Sequence, residues 1–105
     1  MNVTLDMVPY NLKFDVDRAW RPSASGMFVM SDHAMKRMFE RSFSPETVRL
    51  TLRHGEPTYG EGVRIYRVGK KQVAYVGNRL REAEGAQVIA DHSGTVVTLY
   101  RSDDF

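Results

Sequence analysis

The 105-residue chain contains no cysteine. Disulfide bridges and thiolate zinc sites are therefore excluded. No apolar run approaches the roughly 18–20 residues that cross a bilayer, and the N-terminus lacks the basic start and apolar stretch of a secretory signal. These absences favour a cytoplasmic protein without a membrane partner, and the alternative is a cysteine-free exported effector.

The usual spacings of metal ligands and nucleotide-binding loops are missing as well. The three histidines lie far apart and form no His-x-x-x-His or His-Glu-x-x-His pair. Gly60 and Gly62 are not followed by the Gly-Lys-Ser/Thr of a phosphate-cradling loop. We therefore predict no metal and no cofactor.

What the chain does have is an uneven distribution of charge. Hydrophobic residues make up 42% of it, which is typical of a globular protein, and its length corresponds to one domain. Residues 31–81 carry eleven Lys or Arg against five Asp or Glu, although the whole chain has a net charge of only +2. A basic segment of this kind attracts phosphate or an acidic partner. The alternative is an ordinary solvated surface of mixed charge.

The first clear helical pattern begins at Ser31. Ser31 is a good N-cap, and the acidic residue after it suits the positive end of the helix dipole. The residues predicted to form the buried face recur at helical spacing: Ala34, Met35, Met38 and Phe39. We expect this helix to end near Ser42.

A second helix follows almost immediately. Ser44 caps it, Pro45 occupies the first turn, and Val48 and Leu52 supply its apolar stripe. Gly55 is the predicted C-cap.

The periodicity changes to that of strands from Val63 onward. Residues 63–68 and 72–76 flank Gly69-Lys70-Lys71, and residues 86–90 and 95–100 flank a turn at 91–94, so two hairpins are predicted with a loop between them. The fold class is therefore α+β, with two helices packed on a sheet of three or four antiparallel strands.

Residues 1–30 alternate weakly and predict extra strands. The alternating residues are Val3, Leu5 and Met7, then Leu12, Phe14 and Val16. Residues 21–26 have the composition of a loop. We divide the chain into an N-terminal extension or extra strands at 1–27 and a single α+β domain at 28–105.

The segment His33-Ala34-Met35-Lys36-Arg37-Met38-Phe39-Glu40-Arg41 resembles the opening motif of the family called domain of unknown function 4258. That motif is His-Ala-x-x-Arg-Met-x-Glu-Arg, followed by a small residue and a second helix that Gly55 closes here. The strand at 96–100 also resembles the family pattern. The likeness covers about residues 28–101.

The resemblance implies a relationship to the RelE/ParE-like small toxins and to metal-independent ribonucleases with a helix-helix-sheet core. Many such toxins cleave RNA, some act on other targets, and an antitoxin or immunity-like protein is the partner implied. The present chain lacks the run of basic residues that some of these toxins carry on the final strand.

The residues themselves predict a site on the first helix. His33, Arg37 and Arg41 are spaced at i, i+4 and i+8 and so share one face. Metal-independent cleavage of RNA needs a base for the 2′-hydroxyl, cations for the phosphorane and an acid for the leaving oxygen. His33 is the candidate base, the two arginines are candidate phosphate ligands, and Tyr100 is a candidate for base stacking or proton donation.

Four further residues are predicted to contact nucleic acid: Lys36, Lys70, Lys71 and Tyr75. Lys70 and Lys71 are expected at a hairpin tip, from which they would hold the backbone. Structural alternatives stay open, because Arg37 can pair with Glu40, His33 can cap its helix, and the lysines can be ordinary turn residues.

Three functions are compatible with these patterns. The first is a toxin-like, metal-independent endoribonuclease that acts through the basic stripe of the first helix. The second is a non-catalytic module that binds RNA, DNA or a protein with the same surface. The third is a structural or regulatory domain whose sheet face pairs with another protein.

Overall fold

The computed structural model of the protein describes residues 13–15 and 27–102, with side chains from Phe28 onward. The described strands are β1 (Lys13–Asp15), β2 (Met27–Met30), β3 (Glu56–Gly60), β4 (Val63–Arg67), β5 (Ala86–Asp91) and β6 (Thr95–Arg101). The described helices are α1 (Asp32–Glu40), α2 (Pro45–His54), α3 (Lys70–Val76) and a 3₁₀ helix at Asn78–Ala83. The predicted α+β class is confirmed.

The six described strands form one mixed sheet in the order β1-β2-β6-β5-β4-β3. All neighbouring pairs are antiparallel except β2 and β6, which run parallel. The register of that parallel pair contains only Val29 with Thr95 and Met30 with Val96. Thus β2 pairs with the first part of β6, and α1 packs against the same strand.

The first thirty residues contribute β1 and β2 to this sheet. β1 falls within the predicted alternation of residues 12–16. The predicted strand at residues 3–7 and the predicted loop at 21–26 lie outside the described residues. The division of the chain at residue 27 stays a prediction.

The start of α1 agrees with the prediction. The Ser31 hydroxyl accepts a hydrogen bond from the Ala34 backbone N–H at 3.0 Å, so Ser31 is the N-cap. Ala34, Met35 and Met38 are buried, but Phe39 is 58% exposed, so its predicted place on the buried face is wrong. At about 100° per residue, Phe39 is rotated past the arc that contains the other three side chains.

The end of α1 is an irregular turn built around Ser42. Ser42 has a φ of 58°, in the left-handed region that favours glycine. Its N–H donates to the Phe39 carbonyl at 3.3 Å, and the Phe43 N–H donates to the Met38 carbonyl at 2.9 Å. These two bonds form a Schellman motif, and they turn the chain so that Phe43 is buried between α1 and α2.

The predicted limits of α2 are confirmed. The Ser44 hydroxyl accepts from the Thr47 N–H at 3.0 Å, and Pro45 occupies the first turn. At the other end Gly55 is the C-cap, and its N–H donates to the Thr51 carbonyl at 2.8 Å. The apolar face is buried, including Val48 and Leu52.

The predicted hairpin around Gly69-Lys70-Lys71 is wrong, because Lys70–Val76 is the helix α3. The Gln72 side chain accepts a hydrogen bond from the Gly69 N–H at 2.8 Å and so stabilises the start of the helix. Only Val73 of this segment is buried, and an apolar run this short does not distinguish a helix from a strand. β4 pairs instead with β3, through a turn at Gly62 where φ is +73°. The predicted loop that follows contains the 3₁₀ helix.

The second predicted hairpin, β5 with β6, is confirmed. Its register shifts at a bulge: Ile89 pairs with Thr98, whereas Ala90 pairs with Val96. The extra residue in β6 changes the side-chain alternation, so Val96 and Leu99 both face the core.

The core lies between the sheet and the helices α1 and α2. α1 packs on β6 and β2, and α2 packs on β5, β4 and the 3₁₀ helix. Between helices and sheet lie fully buried side chains such as Tyr66, Val88 and Leu52. The rings of Phe28 and Tyr66 meet edge to face with centroids 5.7 Å apart.

Candidate functional site

Two of the predicted site residues contact each other on the outer surface of α1. The Arg37 Nε–H donates to His33 Nε2 at 3.3 Å, and Arg37 Nη1 lies 3.4 Å from Glu40 Oε1. His33 and Glu40 are exposed, and Arg37 is half-buried. Because Nε2 accepts in this arrangement, the proton of a neutral ring is assigned to Nδ1. The predicted pairing of Arg37 with Glu40 is therefore present, together with a contact to the imidazole.

The third residue of the stripe, Arg41, caps the end of α1 and stacks on Tyr100. Its Cζ atom lies 5.3 Å from the centre of the Tyr100 ring, which is a cation–π distance. Tyr100 is 41% exposed and follows the buried Leu99, so its ring projects from the opposite face of the sheet to the helices. Through this contact Arg41 at the end of α1 packs against Tyr100 of the sheet.

Arg101 is a neighbouring cation that the sequence interpretation did not assign to the site. Its Cζ atom lies 4.7 Å from the centre of the Phe43 ring. Its Nη1 donates to the backbone carbonyls of Glu84 at 3.0 Å and Glu82 at 3.3 Å. These contacts hold Arg101 on the helix side of β6. The one sequence signal for it was its position directly after Tyr100.

The four predicted nucleic-acid contacts are divided between two helices. Lys36 is exposed on α1, next to Arg37. Lys70, Lys71 and Tyr75 lie on α3 rather than at a hairpin tip, and Tyr75 is 92% exposed. α3 packs beside the 3₁₀ helix, whereas α1 packs on β6 and β2. A role for these four residues in nucleic-acid binding stays a prediction.

α3 and the 3₁₀ helix border an open pocket of about 360 Å³. Lys70, Asn78 and Arg81 contribute its polar lining, and Val73 contributes an apolar wall. Arg81 Nη2 donates to the Asn78 side-chain oxygen at 3.1 Å, so the amide nitrogen of Asn78 is left to face the pocket or solvent. This lining consists mainly of hydrogen-bond donors, but Glu84 also borders it.

A second group of an arginine, a tyrosine and a histidine lies near the start of β4. The Arg64 Cζ atom lies 5.4 Å from the centre of the Tyr59 ring, and Nη1 lies 3.4 Å from His92 Nδ1. Tyr59 is 70% exposed. Its pairing with Arg64 across two strands depends on the β3–β4 register, which the sequence interpretation did not predict.

The turn that holds His92 is ordered by Asp91. The Asp91 Oδ1 atom accepts hydrogen bonds from the backbone N–H groups of Ser93 at 2.9 Å and Thr95 at 3.1 Å, and from the Ser93 hydroxyl at 2.6 Å. Burial acts to raise the pKa of the Asp91 carboxyl, but these hydrogen bonds together outweigh it and lower the pKa below 3.8. Asp91 is therefore an ionised hydrogen-bond acceptor in the turn.

The arrangement of residues 13–15 and 27–102 also bears on other kinds of site. No group of three or more His, Asp or Glu residues in this part of the chain is arranged to hold a metal ion. None of the helices there has the length and apolar character that a membrane crossing requires.

Comparison of this chain with family models, with curated proteins and with solved structures found no match.

Chemically, the first group is suited to an anion that carries a planar ring. Arg37 and Arg41 present guanidinium donors of the kind that bind phosphate oxygens in pairs. His33 presents an imidazole beside Arg37, and Tyr100 presents an aromatic surface beside Arg41. We call these four residues the α1–β6 site.

Proposed function

We propose that this protein is a toxin-related, cytoplasmic domain that acts on single-stranded RNA through the α1–β6 site. In this proposal Arg37 and Arg41 bind phosphate, and Tyr100 stacks on a base. The observation that carries the proposal is the Arg41 guanidinium 5.3 Å from the Tyr100 ring, at the end of the helix that bears His33 and Arg37. Phosphate-binding cations beside a stacking aromatic are the usual components of single-strand binding.

The same four residues supply the groups needed for cleavage. A phosphate oxygen that accepts from Arg37 would release His33 Nε2, which then takes the proton of the 2′-hydroxyl as that oxygen attacks phosphorus. The bond from phosphorus to the 5′-oxygen breaks, and the Tyr100 hydroxyl donates the proton that this oxygen needs. Arg41 stabilises the negative charge that develops on the phosphorane. The products are a 2′,3′-cyclic phosphate and a 5′-hydroxyl.

The alternative is a module that binds RNA, DNA or a protein with this surface and does not cleave. One observation favours it: His33 Nε2, the atom needed as a base, accepts a hydrogen bond from Arg37. Relationship to the domain of unknown function 4258 and to RelE/ParE-like toxins belongs to the first proposal, as does an antitoxin or immunity-like partner.

Binding is tested by the affinity of the full chain for a labelled single-stranded RNA, measured by fluorescence anisotropy over a range of salt. Tyr100→Ala should weaken binding by about 5- to 150-fold, since stacking contributes about 1–3 kcal/mol per base. The two phosphate contacts of the α1–β6 site contribute about −1.4 to the slope of log K against log salt, at about −0.7 for each phosphate on a single strand. Arg41→Ala should therefore lower the slope by about 0.7.

Tyr59→Ala is the matched control, because Tyr59 lies 5.4 Å from Arg64 in the same kind of pair. It should leave the affinity within about twofold of the wild type, a change of about 0.4 kcal/mol. If Tyr59→Ala weakens binding as much as Tyr100→Ala, or if the wild type binds no RNA, the proposed site is wrong.

Cleavage is tested separately, by inducible expression of the wild type and of His33→Ala with growth and RNA integrity followed. Growth arrest and RNA fragments ending in cyclic phosphate should require His33. RNA that binds the wild type and stays intact would instead establish the non-catalytic alternative.

A further inference from the structure

Three side chains line up across the sheet, starting from Tyr100. The registers pair Tyr100 of β6 with Gln87 of β5, and Gln87 with Arg67 of β4. Residues paired in this way project from the same face of a sheet. We call Arg67, Gln87 and Tyr100 the outer row.

The alternation of burial shows which face the outer row occupies. The residues next to the row along each strand, Tyr66, Val88 and Leu99, are buried beneath the helices. Successive side chains on a strand point to opposite faces. The outer row therefore lies on the face away from α1 and α2, where Arg67 and Tyr100 are exposed and Gln87 is partly exposed.

A hydrogen bond orders the far end of the row. The Arg67 Nε–H donates to Gln87 Oε1 at 3.2 Å. Because the carbonyl oxygen of the amide is used by Arg67, its nitrogen is directed elsewhere and presents two N–H donors. With Arg41 over the ring of Tyr100, the order of groups across the sheet is a guanidinium, an aromatic ring, an amide donor and a second guanidinium, and beyond it the register pairs Arg67 with the acidic Glu56 of β3.

The next row on the same face is less polar. Ile65, Ile89 and Thr98 are paired across the same three strands, and all three are partly buried. A polar row that includes two guanidinium groups, beside partly buried apolar side chains, matches a nucleic-acid strand better than an acidic peptide, because it offers phosphate ligands and surface for bases together.

We propose that the outer row is a second subsite for single-stranded RNA, in which the strand continues from Tyr100 across β5 to β4. Arg67 binds a phosphate, and Gln87 donates to a base edge or a sugar hydroxyl. Neighbouring strands are about 4.8 Å apart, so the row extends the binding surface by about 10 Å. The inference rests on the proposed function, since it takes RNA at Tyr100 as its starting point.

The test measures the affinity of the full chain for a single-stranded RNA of about 12 nucleotides, within the usual site sizes, and compares Arg67→Ala with Arg79→Ala. Both substitutions remove one positive charge, and Arg79 is an exposed arginine of the 3₁₀ helix, away from the row. Arg67→Ala should weaken binding roughly tenfold and lower the salt slope by about 0.7. Arg79→Ala should change the affinity by less than about twofold.

Two further variants keep the test informative. Arg67 lies close to Gly55, so thermal unfolding must show that Arg67→Ala folds. If Arg67→Ala does not fold, two other variants replace it. Arg67→Lys preserves the charge and should retain most of the salt slope. Gln87→Ala should weaken RNA binding without changing that slope.

The outcomes separate the two proposals. Equal effects of Arg67→Ala and Arg79→Ala, with Arg41→Ala still harmful, would overturn the outer row and leave the α1–β6 site standing. Wild-type protein that binds no RNA would overturn both. RNA affinity that Ile65→Ala reduces and that does not change with salt would indicate binding by apolar contact rather than by phosphate, and that result also overturns the role of Arg67 in the RNA subsite.

Discussion

Replacing Gly55 with alanine tests how closely the end of α2 approaches the sheet. Gly55 has a φ of −64°, which any residue adopts, so backbone conformation does not require glycine there. An added Cβ would lie 2.5 Å from the Thr51 carbonyl oxygen and 3.0 Å from the Arg67 backbone nitrogen. Both are backbone atoms, and they cannot rotate away as the end of a side chain can.

Two opposing contributions decide the sign of the effect. Alanine reduces the conformational freedom of the unfolded chain and by itself would stabilise the protein by about 0.4–1 kcal/mol. Overpacking a buried position costs about 1–3 kcal/mol. We therefore expect Gly55→Ala to lower the free energy of unfolding by about 1 kcal/mol or more.

The measurement is urea unfolding followed by circular dichroism. With a slope of about 1–3 kcal/mol per molar urea, the midpoint should fall by about 0.3–1 M. Gly60→Ala is the control, because its Cβ would meet only the Val63 side chain at 3.3 Å, and its effect should be near zero or stabilising. A midpoint for Gly55→Ala at or above the wild type would refute the close approach of α2 to β4.

Four other substitutions have defined outcomes. Ser42→Gly should stabilise the protein by about 0.5–1 kcal/mol in urea unfolding, since glycine relieves the left-handed φ of 58°; a loss would contradict the Schellman turn. Met38→Ala should cost about 2–5 kcal/mol because the side chain is fully buried, whereas Phe39→Ala, at a 58% exposed position, should cost far less. Asp91→Asn should cost about 1 kcal/mol at pH 7. Because the folded pKa of Asp91 is lowered, its contribution is present above about pH 4 and is lost as the pH falls through the folded pKa, so the two proteins should converge in acid; a constant difference would contradict this account.

The elements with local signals were the ones predicted correctly. Ser31 and Ser44 cap their helices, and Pro45 occupies a first turn, because those preferences act over three or four residues. The β5–β6 hairpin was also predicted, since the turn at 91–94 separates two clear strands. The failures were short segments: Lys70–Val76 is a helix, and β3 was missed because Pro57 and Gly60 weaken its strand pattern.

The candidate site was predicted only in part. The spacing of His33 and Arg37 indicated a shared helical face, and the two side chains do contact each other. Tyr100 was chosen for its chemistry, without any signal that Arg41 would reach it. The place of Arg67 in the outer row had no signal at all, because it depends on the register of three strands.

By itself, the sequence determined where α1 and α2 begin, which of their faces carry apolar residues, and where the basic residues concentrate. Each of these depends on neighbours within one or two helical turns. Only the tertiary structure decided that Lys70–Val76 is helical, that β2 runs parallel to the start of β6, and that Arg41, Tyr100, Gln87 and Arg67 lie side by side. The strand pairing and the row of side chains depend on register between distant segments, which is selected by burial of the whole core rather than by any local preference. The helix at Lys70–Val76 has too short an apolar run for its sequence to distinguish it from a strand.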